Sequence, residues 1–93
     1  MTKEELIRKS REFGSHFFDD DAIRFFSSRL SSAPVSVEDK HYFVTSEKTW
    51  DGKERRYTVR CLDEKEEEIY DVSEFLQFAT LRGAKAWMKK EVL

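Results

Sequence analysis

The stretch His41-Tyr42-Phe43-Val44-Thr45-Ser46-Glu47-Lys48-Thr49, then Trp50-Asp51-Gly52-Lys53, then Glu54-Arg55-Arg56-Tyr57-Thr58-Val59-Arg60-Cys61-Leu62 decides the fold. Two runs rich in β-branched and aromatic residues flank Asp-Gly, a dipeptide that tolerates the left-handed backbone of a tight hairpin turn. A two-residue type I′ turn at Asp51-Gly52 sets Trp50 opposite Lys53 and so fixes every other pair. One face then carries Tyr42, Val44 and Ser46 against Cys61, Val59 and Tyr57, an apolar set that belongs in a core. The other carries Phe43, Thr45 and Glu47 against Arg60, Thr58 and Arg56, matching ring with cation, threonine with threonine, and anion with cation. A slip of one residue exchanges the two faces and destroys this sorting, so the pattern specifies the register.

Beyond the hairpin, Asp63-Glu64-Lys65-Glu66 reads as a second turn and Glu67 to Val72 as a third strand. Setting Leu62 opposite Glu67 places Tyr70 opposite Val59 and Val72 opposite Tyr57. Ser73 then caps a helix that buries Phe75, Leu76, Phe78 and Ala79, interrupted at Thr80 or Arg82-Gly83. Ala84, Trp87 and Met88 form a last amphipathic turn or two, closed by Lys89 and Lys90 at the negative end of the helix dipole. At the other end of the chain, Thr2 and Glu5 fit a capping box that opens a helix over residues 2–13. Leu6, Ile7, Ser10 and Phe13 form its narrow inner stripe, and Gly14 suits a left-handed terminus. Asp19-Asp20-Asp21 reads as the start of a helix through Ala22, Ile23 and Phe26. Residues 26–31 fit helix or strand equally, and Ser31-Ser32-Ala33-Pro34 is a loop. The expected fold is therefore α+β: a small antiparallel meander of three or four strands, with N-terminal and C-terminal helices packed on one face.

The chain has 93 residues, enough for a single domain over 1–93. Charged and hydrophobic residues each make 39 %, which excludes collagen-like and disordered classes. Eight Phe, three Tyr and two Trp supply rings large enough to build a core in so short a chain. No apolar run approaches a membrane span, and the first residues lack the apolar region of a secretory leader. Cys61 stands alone, so no internal disulfide forms. The expectation is a soluble cytoplasmic protein. A net charge of −2 gives no global field toward nucleic acid.

Catalytic signals are sparse. His16 and His41 lack a metal-binding partner at helical spacing, three scattered glycines cannot cradle a phosphate, and no nucleophile elbow occurs. No catalytic, cofactor-binding or metal-ligating residue is expected, and no cofactor. Two surface features remain. Arg55, Arg56 and Arg60 with Phe43 and Thr58 give the outer sheet face a basic, aromatic character, the combination that single-strand-binding sheets use. A helix laid over that face would remove it from consideration. Residues 63–74 hold seven acids and one lysine. Such a run is ordinarily a solvated turn, yet it can also imitate a phosphate track.

His16-Phe17-Phe18-Asp19, Arg24-Phe25-Phe26, Ser28-Arg29, Tyr42-Phe43-Val44-Thr45-Ser46-Glu47, Arg55-Arg56-Tyr57-Thr58-Val59-Arg60 and Phe75 together form a pattern. It resembles a family of small uncharacterised proteins found in phages, prophages and bacterial genomes, over about residues 16–80. This chain departs from that pattern in its longer charged N-terminal helix and its acid-rich second turn. The resemblance carries over no catalytic residue. It implies a mobile-element setting, where small proteins bind and block host factors, CRISPR-type defence nucleases among them.

The functional expectation is a non-catalytic protein that works by protein–protein contact, an inhibitor and anti-CRISPR candidate. Its partner would be another protein, a host factor rather than a membrane. Trp50, Asp63, Glu64, Glu66, Glu67 and Glu68 are the candidate contact residues. The alternative is a nucleic-acid-binding module using Phe43, Arg56 and Arg60. Since Asp19-Asp20-Asp21 is read as a helix cap, EDTA should leave the thermal unfolding midpoint unchanged. A reproducible drop would turn that run into a cation site.

Overall fold

A computed structural model describes residues 1–14 and 29–93. Helix α1 spans Lys3–Glu12, and the Thr2 hydroxyl accepts the Glu5 N–H at 3.1 Å. Glu4 and Glu5 stand in its first turn and Lys9 and Arg11 in its last, each complementing the dipole. Gly14 follows with φ of 82°, the left-handed conformation that a residue without Cβ adopts freely. The Ser10 side chain is buried, and its hydroxyl is satisfied by the Leu6 carbonyl at 2.7 Å. The Asp19-Asp20-Asp21 run, His16 and residues 22–28 lie outside the described residues.

Strands β1 (Arg29–Leu30), β2 (Val35–Val37), β3 (Lys40–Lys48), β4 (Arg55–Asp63) and β5 (Glu68–Asp71) precede a C-terminal helix α2 (Leu81–Glu91). All strand pairs are antiparallel. The sheet is four positions wide: β3, β4 and β5 form the meander, and the fourth position beside β3 is shared by β1 and β2. The ambiguous segment 26–31 thus contributes a strand at Arg29–Leu30.

The β3–β4 register is the expected one, with Val44 opposite Val59, Thr45 opposite Thr58 and Tyr42 opposite Cys61. The turn differs. Only Gly52 of the central pair has positive φ, at 71°, which excludes a type I′ turn. The ladder closes at the expected neighbours Thr49 and Glu54, the Thr49 N–H reaching the Glu54 carbonyl at 2.8 Å, and Trp50 to Lys53 form a four-residue loop. The Asp51 carboxylate holds this loop by accepting the Thr49 hydroxyl at 2.7 Å and the Lys53 N–H at 3.0 Å. Those hydrogen bonds keep its pKa below the usual carboxylate value.

The third strand is displaced by two residues from the expected register. Leu62 pairs with Ile69 and Cys61 with Tyr70. The turn consumes Glu64 to Glu67, because the Asp63 carboxylate accepts the N–H groups of both Lys65 and Glu66 and Glu67 takes φ of 52°. A shift of two preserves the alternation of faces, so Val72 still packs in the expected core.

Ser73 does not cap a helix. Its hydroxyl accepts the Val59 N–H at 2.9 Å, and residues 73–79 run as irregular chain along β4. The Leu76 N–H goes to Thr58 Oγ1 at 2.8 Å, while Phe78 makes a two-way bridge with Tyr57. Groups on β4 therefore satisfy the backbone that a local helix would have satisfied internally. The helix begins later, at Leu81, where the Thr80 hydroxyl accepts the Gly83 N–H.

The two helices pack on opposite faces rather than on one. Leu6 of α1 is buried with Phe43 and Leu62, flanked by Ile7, Phe13, Leu30 and Ile69. Ala84 and Met88 of α2 are buried with Val44 and Val59, flanked by Tyr42, Tyr57, Phe78 and Trp87. The face expected to carry solvated pairs is thus a second core, and Phe43 is 0 % exposed. Val59→Ala should cost about 1–3 kcal/mol and Leu62→Ala about 2–5 kcal/mol in urea unfolding, since each empties a packed site. An unchanged midpoint for Leu62→Ala would mean that the α1 side is not a true core.

Candidate functional site

On the α1 side of the sheet a buried cation organises the polar residues. Arg60 donates to Thr45 Oγ1 at 2.8 Å and to Glu47 Oε1 at 2.9 Å. It also reaches Asp71 Oδ1, and its guanidinium lies 5.9 Å from the centre of the Phe75 ring. Among the described residues this cation faces two carboxylates. Burial raises the Glu47 pKa, Arg60 opposes that rise, and Asp71 adds to it. Glu47 faces Arg56 across the ladder, but its carboxylate bonds diagonally to Arg60 instead. Arg56 is used elsewhere: it donates to the carbonyls of Leu76 at 2.7 Å and Gln77 at 2.9 Å, fastening the irregular segment to β4.

These contacts dispose of the expected basic, aromatic sheet surface as an open one. Phe43 is sealed in the core, Arg60 sits between carboxylates, and Arg56 is bound to main-chain oxygens. What they build is a different feature at the end of the hairpin. Trp50 stands fully exposed at the tip, and Phe75 is 55 % exposed on the fastened segment. A cleft of about 450 Å³ runs between them, lined by Glu47, Lys48, Thr49, Gly52 and Leu76 as well as the two rings. Leu76 holds φ of 57°, a left-handed conformation costly for a side chain with Cβ, kept in place by Thr58 and Arg56.

The acidic turn lies at the opposite end of β4 from Trp50, so the candidate contact residues do not form one patch. Asp63 is buried and closes its own turn, and Glu64 stands 3.1 Å from His41 Nε2. Glu66, Glu67 and Glu68 are exposed. The carboxylates available to a partner are therefore three of the five.

His41 has no metal-binding partner at helical spacing, but two polar side chains lie against its ring. Ser36 Oγ lies 2.5 Å from Nδ1 across the β2–β3 pair, and Glu64 approaches Nε2. The composition is that of a nucleophile–base–acid relay, yet Nε2 makes no aligned hydrogen bond despite the short distance. The arrangement ties the β2–β3 turn to the acidic turn, assisted by the Glu64 N–H on the Asp39 carbonyl. Cys61 is buried as expected, and burial pushes its thiol pKa up, so thiolate is scarce. Its neighbour Tyr70 is pushed up too, chiefly by a hydrogen bond with Cys61. Among the described residues no group of three or more His, Cys, Asp and Glu is placed to hold a metal ion, and no helix is long and apolar enough to cross a membrane.

Together these features define a small α+β domain: a four-position antiparallel sheet, a helix on each face, and its most conspicuous chemistry displayed at a hairpin tip. The chain belongs to a family of unknown function (DUF7447), whose pattern it matches over residues 2–89. Comparison with curated proteins and with solved structures gave no match.

The raised Glu47 pKa has a sign that can be tested. A carboxyl protonated more readily in the folded state favours folding as pH falls through its raised value toward the ordinary 4.5. Relative to Glu47→Gln, the wild-type protein should gain stability over that interval and level off below it. Denaturant unfolding at several pH values checks this, and a relative loss on acidification would contradict it.

Proposed function

We propose that this protein works without catalysis, by contact with another protein, through the Trp50–Phe75 end of its sheet. The observation that carries the reading is the complete exposure of Trp50 beside a second exposed ring and an apolar cleft. An indole left in water at a hydrogen-bonded turn brings no packing to the fold. It offers roughly 150–250 Å² of rigid surface to a partner. Interface energy concentrates in such residues, tryptophan foremost. The loop that bears it is held by Asp51, so little ordering remains to be done on binding. Glu66, Glu67 and Glu68 at the far end add a negative field that steers a basic partner.

The resemblance to phage and prophage proteins supports a host factor as the partner and inhibition as the outcome. A CRISPR-type defence nuclease is the sharpest form of that reading, and the setting is the cytoplasm. Trp50→Ala should abolish capture of the partner from a host lysate while leaving the melting curve unchanged, and Phe75→Ala should abolish it with a small loss of stability from its contact with Arg60. Titration with single-stranded and duplex nucleic acid over a salt series should show no binding at physiological salt. Micromolar nucleic-acid binding that is lost in Arg56→Glu and kept in Trp50→Ala would overturn the proposal.

A further inference from the structure

The other edge of the sheet carries a separate surface. All three residues of β2 are exposed, and its outer side pairs with no described strand. Val35 and Val37 present apolar side chains to solvent there. Helix α2 crosses the same sheet face. Its Met88 is buried against Val44 and Val59, while Lys85 and Lys89 remain exposed on the flank toward β2. Between helix and sheet edge runs a groove of about 610 Å³, with Ala33, Val35, Met88 and Leu93 as its apolar walls and the two lysines on its rim. Neither lysine has an ion-pair partner among the described residues. The Ser32 hydroxyl, also in the lining, is buried and makes no hydrogen bond.

Among the described residues three demands are thus left open side by side: a strand edge that can accept another strand, an apolar trough, and two cations without an ion-pair partner. We infer that the groove takes an extended, acidic segment of a partner protein, which adds to β2 as an edge strand and sets two carboxylates against Lys85 and Lys89. Spacing favours this occupant. Lysines four residues apart on a helix are separated by about 6 Å along its axis. Alternate side chains of a strand, which share a face, are separated by about 6.6–6.8 Å. Where the incoming segment runs along the helix, carboxylates at positions i and i+2 match the two ammonium groups, which leaves its other side chains on that face for the apolar walls. Main-chain hydrogen bonds to β2 supply affinity, and the charged pair selects the sequence. The inference rests on the reading of this protein as one that works by contact, but it uses a surface remote from Trp50.

The probe is an end-capped, fluorescein-labelled peptide, Glu-Thr-Glu-Thr-Val-Thr-Val, followed by fluorescence anisotropy with the full chain. Saturable binding is expected. It should weaken by about tenfold or more in the Lys85→Glu/Lys89→Glu variant, and likewise when lysine replaces glutamate in the peptide. N-methylation of alternate peptide nitrogens should abolish it, because the ladder bonds are lost. Trp50→Ala should leave it unchanged. No saturation up to about 1 mM, or affinity indifferent to the lysines, overturns the proposal. Equal binding of the N-methylated peptide, with displacement by decanoate, assigns the groove to an amphiphile and overturns it too. If the charge-reversed variant misfolds, the peptide series on the wild-type chain decides. Loss in Trp50→Ala alone would sink the groove while leaving the contact reading intact; partner capture that depends on neither Trp50 nor Phe75 would sink that reading while leaving the groove.

Discussion

Nine consecutive pairs, from Lys40 with Asp63 to Lys48 with Arg55, join β3 to β4, and every other described strand attaches to one of these two. Burial of this ladder on both faces is the constraint that shapes the rest. A two-stranded ribbon is marginal alone, and one covered on a single face leaves half its side chains in water. Here Val44 and Val59 meet α2 on one side while Phe43 and Leu62 meet α1 on the other. Since the residues of the α1 face are not all apolar, each buried polar group there needs a partner. Thr45 accepts from Arg60, Thr58 accepts from the Leu76 N–H, and Glu47 receives the Arg60 guanidinium. The polar network is a consequence of covering a face that the sequence makes half polar.

That distinction explains what could be read from the chain and what could not. The register of β3 on β4 was legible because alternation with period two and an Asp-Gly loop act locally and agree with each other. The pairing of Phe43 with Arg60 was legible for the same reason, and yet its meaning was not. Whether a ring beside a cation faces solvent or a helix depends on where α1 lands, and nothing in the hairpin encodes that. The segment 73–79 misled through its spacing. Phe75, Leu76 and Phe78 fit a helical face, but Thr58, Arg56 and the Val59 N–H lie alongside and compete for the same backbone groups and for Ser73. Tertiary partners outweigh the few tenths of a kcal/mol per residue that helix propensity offers.

The candidate contact residues show the same division. Trp50 was legible as a surface residue because a hairpin tip has no room to bury an indole. The acidic turn was legible only as composition. Asp63 and Glu64 have the same chemistry as Glu66 and Glu67 in sequence, but two of the four are spent on structure: one closes the turn and one approaches His41. A negative run therefore overstates the charge it can present to a partner. Phe75 belongs to the sequence pattern and fits a buried helical face, but its exposure beside Trp50 was not legible. It appears only once Arg56 and Thr58 have drawn the chain into a left-handed bend at Leu76.

The edges of the sheet complete the argument. On one side of β3–β4 the ladder ends at β5, beside which runs the turn rich in glutamate, a charged border that discourages further strands. On the other side it ends at β1 and β2, and β2 is a short strand with two exposed valines and no lysine or proline within it to repel a neighbour. An edge left in that state either invites uncontrolled pairing or is guarded by its surroundings. The surroundings here are Lys85 and Lys89, set over the approach by the same helix that buries Met88. Two such cations disfavour a basic strand and favour an acidic one, so in the proposed docking the helix that completes the core also supplies the selectivity of the open edge.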